Sequence, residues 1–221
     1  MTTRPLTTLP DQDTGDGFLT AIRAGRRARL IVISGPSGVG KDSVIDQLRP
    51  LLPDTHFAVT ATTRPRRPNE IEGVHYYFLD REDFLRRRDE GEFLEWAVVY
   101  DNLYGVPRTP IRTAIERGQD VIVKIDVQGA ASIRALAADG AFIFLAPESM
   151  TELYRRLSGR KTDDHDALQR RFAEASQELL RAGEFGYVVF NEAARMERAI
   201  EEIVAIITAE RLRGDQRPVR I

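Results

Sequence analysis

Arg29-Leu30-Ile31-Val32-Ile33-Ser34-Gly35-Pro36-Ser37-Gly38-Val39-Gly40-Lys41-Asp42-Ser43 is the stretch that decides the fold. Residues 29–34 are apolar, β-branched and stopped by a glycine-rich turn, as a strand buried in a parallel sheet is. From residue 41 to 49 the apolar positions Val44, Ile45 and Leu48 return at helical spacing. Between strand and helix, Gly35 to Lys41 carries the Gly-x-x-x-x-Gly-Lys pattern in the context that gives it meaning. Glycines let backbone N–H groups curl inward onto phosphate oxygens. The helix N-terminus adds favourable partial charge. Lys41 then reaches the β- and γ-phosphates of a nucleoside triphosphate. Gly35, Pro36, Ser37, Gly38, Val39, Gly40, Lys41, Asp42 and Ser43 are the candidate triphosphate-binding residues.

One position departs from the usual pattern. The residue after the lysine is ordinarily Ser or Thr, whose hydroxyl ligates Mg²⁺. Here it is Asp42, with Ser43 next. A carboxylate adds negative charge beside the phosphates, yet Mg²⁺ prefers oxygen ligands. Mg²⁺ is therefore the expected cofactor and Asp42 its expected ligand, directly or through water.

Outward from this loop the chain alternates. Strands are predicted over 57–63, 72–79, 92–100, 120–127, 141–146 and 186–190. Helices are predicted over 81–91, closed by Gly91, and over 107–117, 148–158, 166–183 and 193–212. Strands alternating with helices imply an α/β fold with a parallel sheet covered on both faces. The strand-rich interval 57–105 reads as an inserted antiparallel lobe.

Composition bounds the chemistry. The chain has 221 residues and a formal charge of −2. Near-neutral charge argues against nucleic acid as a partner. The absence of cysteine removes disulfides, thiolate zinc sites and cysteine nucleophiles. The three histidines, His56, His75 and His165, lie far apart, which disfavours a zinc site. No apolar run approaches the roughly 20 residues of a membrane span, and the polar N-terminus lacks a signal peptide's apolar core. No membrane partner and a cytoplasmic location are expected.

A second cluster lies in the lobe. Thr62-Thr63-Arg64-Pro65-Arg66-Arg67-Pro68 sets arginines in a proline-stiffened stretch. Guanidinium forks suit a phosphate dianion, and Tyr76 and Tyr104 offer phenol donors. Trp96 is expected to pack in the core beside Glu95. Asp126, at the end of an apolar strand, stands where open α/β sheets bind ligands.

Several stretches together resemble the guanylate kinase family from about Leu30 to Arg211. They are SGPSGVGK (34–41), TATTRPRRPNEIEGVHYYF (60–78), GEFLEWAVVYDNLYG (91–105), IDVQGA (125–130), RLSGRKT (156–162) and VVFN (188–191). The resemblance implies a P-loop three-layer fold with a central parallel sheet, an inserted mixed α/β GMP-binding lobe and a helical lid. It implies a domain over 29–213 between a flexible arm (1–28) and a tail (214–221). The core would be 29–56, 107–154 and 173–213, the lobe 57–106 and the lid 155–172. It implies phosphoryl transfer from ATP to GMP. Arg64, Arg67, Tyr76 and Tyr104 match the clamp on the GMP phosphate, and Glu95, Thr60 and Asp126 match residues around the guanine. Lys41, Arg156, Arg160 and Arg171 match the catalytic cations, and Asn191 a residue near the adenine.

The resemblance is imperfect at Asp42, Val106 and Lys124. Val106 stands where the family usually has a hydroxyl residue, and Lys124 where it commonly has an acid. A pairing of Lys124 with Asp42 would balance both departures. Gly-Lys-Asp-Ser (40–43) and Tyr-Gly-Val (104–106) are also features of the related ribose 1,5-bisphosphate phosphokinases. Glu95, Thr-Thr-Arg-Pro and Ile-Asp-Val-Gln-Gly favour the nucleotide substrate instead. A non-catalytic phosphopeptide-binding module is the other alternative, and the loop lysine and lid arginines argue against it.

Overall fold

The computed structural model describes residues 16–17, 19–20, 27–99, 101–159, 165–214, 219 and 221. Most of the predicted arm, much of the tail, and Arg160 lie outside them.

The decisive stretch forms strand β1 (Leu30–Ser34), all five residues buried, and helix α1 (Lys41–Leu48). β1 lies at the centre of a parallel sheet of order β2 (His56–Phe57), β7 (Val121–Lys124), β1, β8 (Ala141–Pro147), β9 (Tyr187–Asn191). Its alternate side chains explain the three layers. Leu30 and Val32 join Val121, Val123, Phe142 and Phe144 on one face. Ile31 and Ile33 join Ile122, Ile143 and Leu145 on the other. Helices α3 (Arg108–Glu116) and α4 (Val127–Leu136) cover the first face through Ile111, Ala114, Ala130 and Ile133. Helix α7 (Met196–Arg211) joins α1 on the second through Val44, Leu48, Ala199, Ile203 and Ile207. Each fully buried Leu or Ile stabilises the fold by about 1.5–3 kcal/mol.

The lobe is a second sheet of order β4 (Tyr76–Phe78), β3 (Thr60–Thr62), β6 (Asn102–Pro107), β5 (Phe93–Val99). Helix α2 (Arg81–Asp89) joins it, burying Phe84 against Phe93. Its N-cap Asp80 accepts a hydrogen bond from the Asp83 N–H at 2.7 Å, and Gly91 ends it with φ 72°. Three details differ from the sequence reading. The predicted strand 57–63 is two strands in different sheets, so Phe57 belongs to the core and the lobe sheet begins at Thr60. β3 and β4 pair in parallel, so the lobe sheet is mixed, not antiparallel. β6 was not predicted, because Gly105 and Pro107 break its strand signal. It pairs with β5 across a turn at Asp101, whose φ is 64°.

Helices α5 (Met150–Ser158) and α6 (His165–Leu179) pack together through Leu153, Leu157 and Ala175. They contain most of the expected lid. Among the described residues no helix is long and apolar enough to cross a membrane.

Candidate functional site

The two sheets border a cleft of about 430 Å³. One side is the loop between β1 and α1. Gly35 has φ +141°, and a Cβ there would lie 2.2 Å from the Leu145 carbonyl oxygen. Gly40 caps α1 at φ +99°, where a Cβ would meet Asn191 Nδ2 at 2.6 Å. Only glycine fits both places. Ser37, Gly38, Gly40, Lys41, Asp42 and Ser43 line the cleft. Lys41 Nζ donates to the carbonyls of Gly35 (2.6 Å) and Pro36 (3.1 Å). Burial lowers the Lys41 pKa, against the opposing charges of Glu178, Asp42 and Asp126.

Glu178 is a member of the site that sequence reasoning missed. Its Oε2 accepts the Ser37 backbone N–H at 3.0 Å, so the last turn of α6 touches the loop. Burial raises its pKa, and Lys41 and the Ser37 N–H oppose that rise. No motif marks it, because the contact spans 141 residues.

Thr60, Arg64, Arg67, Tyr76 and Tyr104 line the other side of the same cleft. The Arg64 guanidinium lies 4.8 Å from the Tyr76 ring centroid. Its fork faces Glu70, with Nη1 to Oε2 at 2.7 Å and Nη2 paired to Oε1. Burial would lower the Arg64 pKa, but the Glu70 hydrogen bonds outweigh it and the charge is locked on. The Glu70 carboxylate also accepts the Arg67 backbone N–H at 2.8 Å. Glu70, which lies within the stretch 60–78 but has no role in the sequence reading, thus orients both arginines. The Thr60 hydroxyl donates to the Lys124 carbonyl at 3.4 Å.

Glu95 is only 7% exposed and does not itself line this cleft, whose wall nearest to it is Asp126. A register shift between Phe93 and Glu95 breaks the strand alternation and turns both Leu94 and Glu95 inward. Gly129 leaves room for it, since a Cβ there would fall 2.9 Å from Glu95 Oε2. Oε2 has no hydrogen-bond partner among the described residues. Burial, then the charge of Asp126, pushes its pKa up to about 8. Val106 lies opposite Glu95 in the ladder, fully buried, and offers it no hydroxyl. Trp96 is not core: it is 43% exposed, with Arg88 5.2 Å from its ring centroid. Asp126 is the N-cap of α4, its Oδ1 accepting from Gln128 and Gly129 N–H at 2.8 Å, and it lines the cleft.

Lys124 and Asp42 meet, although nothing in the sequence places them together. Lys124 Nζ is paired with Asp42 Oδ1 and donates to the Tyr76 hydroxyl at 3.0 Å. Burial would raise the Asp42 pKa, but Lys124, Lys41 and Arg67 outweigh it and keep the carboxylate ionised.

The expected lid cations divide. Arg171 lines the cleft. The structure does not bring Arg156 there. Arg156 donates to Glu152 Oε1 (2.7 Å) and to the carbonyls of Val39 (2.9 Å) and Asn191 (3.0 Å). Asn191 is buried beside it, with Nδ2 donating to the Val39 carbonyl at 2.8 Å. Both pin the back of the phosphate loop. Arg160 lies outside the described residues.

The cleft also answers whether Mg²⁺ fits. Asp42 and Ser43, which carry hard oxygen donors, line it. No cluster of three or more His, Asp or Glu able to hold a metal occurs among the described residues. That donor set suits an ion held mainly by water and substrate phosphates, the usual state of Mg²⁺.

Comparisons with known proteins agree with this geometry. The family model described as "Guanylate kinase" matches residues 27–210. The guanylate kinase of Carboxydothermus hydrogenoformans is 40% identical over 187 residues, covering 85% of this chain and 91% of that protein. The chloroplastic/mitochondrial guanylate kinase 2 of rice, Oryza sativa, is 43% identical over 193 residues, covering 87% and 68% respectively. A crystal structure of guanylate kinase from Anaplasma phagocytophilum superposes with a TM-score of 0.72 at 33% identity, covering 85% of this chain and 88% of that one. With the match running through both sheets and both sides of the cleft, the chain belongs to the guanylate kinase family.

Proposed function

We propose that this nucleoside monophosphate kinase transfers the γ-phosphoryl group of ATP directly to the phosphate of GMP, giving ADP and GDP. The observation that carries the residue assignment is the single cleft that has the phosphate loop on one side and the arginine–tyrosine set on the other.

Lys41 and the loop N–H groups hold the donor phosphates. Phosphate oxygens replace the Gly35 and Pro36 carbonyls as partners of Lys41 Nζ, and displace Glu178 from the Ser37 N–H. Arg64, Arg67, Tyr76 and Tyr104 hold the acceptor phosphate in line with the donor. Glu95 accepts the N1 and N2 protons of guanine, with Thr60 and Asp126 nearby. Adenine presents no such donor pair and would leave the carboxylate unmatched. Arg171, joined by Arg160 on lid closure, stabilises charge on the equatorial oxygens of the transferring group. Closure also excludes water and so limits hydrolysis. Arg156 and Asn191 act on the donor side by holding the loop in shape. Asp42 and Ser43 would hold Mg²⁺, which when bound neutralises charge on the donor phosphates. Positioning and charge stabilisation suffice, and no covalent intermediate is needed.

The test is ATP consumption with Mg²⁺ and GMP, dGMP, AMP, UMP or ribose 1,5-bisphosphate as acceptor. Strong turnover with GMP and little with AMP is expected. Turnover with the ribose bisphosphate alone would overturn the guanine-reading role of Glu95. Undiminished GMP turnover in excess chelator would remove the Mg²⁺ requirement.

A further inference from the structure

Lys124 occupies a place that neither the phosphate loop nor the acceptor clamp explains. It is the last residue of β7, in the core sheet. Its side chain is only 12% exposed. One N–H points to Asp42, the second residue of α1, and another to the hydroxyl of Tyr76 in the lobe sheet. The ammonium also lies 4.1 Å from the Tyr76 ring centroid. A lysine has three N–H donors, and these contacts use two. Asp42, its counter-ion, is 48% exposed and lines the cleft. Lys124 therefore joins the donor loop to the acceptor clamp, and its charge is cancelled by a carboxylate that borders the donor phosphates.

We propose that Lys124 is a shared cation that couples the two substrate sites, paired with Asp42 and turned toward phosphate when the nucleotides enter. This rests on the assignment of the loop to the donor and of the Arg64–Tyr76 set to the acceptor. The physical argument is charge competition. A triphosphate entering the loop repels the Asp42 carboxylate and attracts the Lys124 ammonium. Once its pairing with Asp42 loosens, Lys124 presents net positive charge beside Tyr76, where the acceptor phosphate is held. The donor therefore raises acceptor affinity, and by linkage the acceptor raises donor affinity by the same factor. Without this cation the two polyanions meet with their repulsion less opposed. A cation held in a low-dielectric cleft acts more strongly than one at the surface.

The experiment is calorimetric titration of GMP, with and without a non-hydrolysable ATP analogue, in Mg²⁺ and again in EDTA. The EDTA arm separates the charge effect from any action of Asp42 on the metal. Wild-type protein is expected to bind GMP at least about fivefold more tightly with the analogue present, within the usual range of coupling between sites. Asp42→Asn exposes the Lys124 charge, so GMP alone should bind more tightly and the analogue should add less. Lys124→Met should weaken GMP alone and abolish the coupling. The double variant, which removes both charges, should also lack coupling while changing the affinity for GMP alone less than either single variant does. Lys124→Arg should restore part of the coupling, which a purely structural role would not require. Circular dichroism and thermal unfolding establish that each variant is folded, and the double variant avoids a buried lone charge if a single variant is unstable. Wild-type coupling in the folded double variant, or no tightening of GMP in Asp42→Asn, would overturn the proposal. Normal GMP turnover beside either result would sink this inference alone, whereas absence of GMP turnover in the wild type would sink the functional assignment beneath it.

Discussion

Glu95 carries a desolvation cost in its ionised form, because its carboxyl group is buried. Its carboxylate is buried, partner-free at Oε2, and holds its proton up to about pH 8. Its ordinary value is 4.5. Between those values the native protein binds a proton that the unfolded chain has released. The stability from this group is full below about pH 4.5 and is lost as pH rises toward about 8. Guanine needs the charged form, because two N–H donors require two acceptor oxygens. GMP affinity should therefore rise with pH up to about 8, by at most tenfold per unit. The GMP phosphate titrates too, so calorimetry from pH 6 to 8.5 is compared with Glu95→Gln. That variant should bind GMP about 10–100-fold more weakly at pH 8, as loss of hydrogen bonds to a charged acceptor implies, and lack the added pH slope. Identical slopes in the two proteins would exclude Glu95 from reading the base.

At the scale of the element, the phosphate loop is held from behind as well as shaped by its glycines. Asn191 at the end of β9 and Arg156 on α5 both donate to the Val39 carbonyl. Asn191→Ala leaves one of those bonds and opens a small void beside Gly40. It should raise the KM for ATP several-fold, lower stability by about 1–2 kcal/mol, and leave the KM for GMP within twofold. An equal rise in both KM values would show that the pin serves the whole cleft rather than the donor loop. The lid makes a different demand. If Arg160 acts only when the lid is closed over the transferring group, Arg160→Ala should depress kcat far more than either KM. A normal kcat in that variant removes Arg160 from the transfer step.

The molecule as a whole is closed where the first core strand meets the last helix. Asp120, just before β7, accepts the Arg29 backbone N–H at 2.8 Å and pairs with Arg211 from α7. Arg29 is itself buried and donates to the Glu210 carbonyl at 2.6 Å. This knot ties the start of β1 to the last helix, at the opposite end of β1 from the phosphate loop. Asp120→Ala leaves a buried N–H unpaired and should cost about 2–3 kcal/mol. Urea denaturation should show a lower midpoint with the same m-value, and KM values should not change. Altered KM values would mean that the knot transmits to the cleft.

How far the sequence reached differs between these scales. The order of core strands and helices was legible, because buried parallel strands and amphipathic helices write their periods into the chain. The split of 57–63 between two sheets and the strand at 102–107 were not. The first depends on which sheet each half pairs with, and the second on a partner strand that outweighs Gly105 and Pro107. Within the site, Lys41 and the glycines follow from local geometry, since a strand–loop–helix turn orients its own N–H groups. Arg64, Arg67, Tyr76 and Tyr104 were marked by motif and stand together in the cleft, whereas Arg156 was marked and does not. Glu70 was inside a marked stretch but given no role, Glu178 carried no mark, and Trp96 was misplaced, because a bulge in β5 decides which of its neighbours face inward.

The chain by itself determined the parallel α/β core, the glycine-rich turn between β1 and α1, and the absence of disulfide or thiolate chemistry. Each follows from residue types at fixed short spacing. Only the tertiary structure decided that Asp42 and Lys124 would neutralise one another, that Arg156 and Asn191 would hold the loop rather than face the cleft, and that Glu95 Oε2 would be buried with no hydrogen-bond partner among the described residues. Those outcomes depend on distances between residues tens to more than a hundred positions apart, set by the packing of two sheets. Local sequence preference carries no information about such distances.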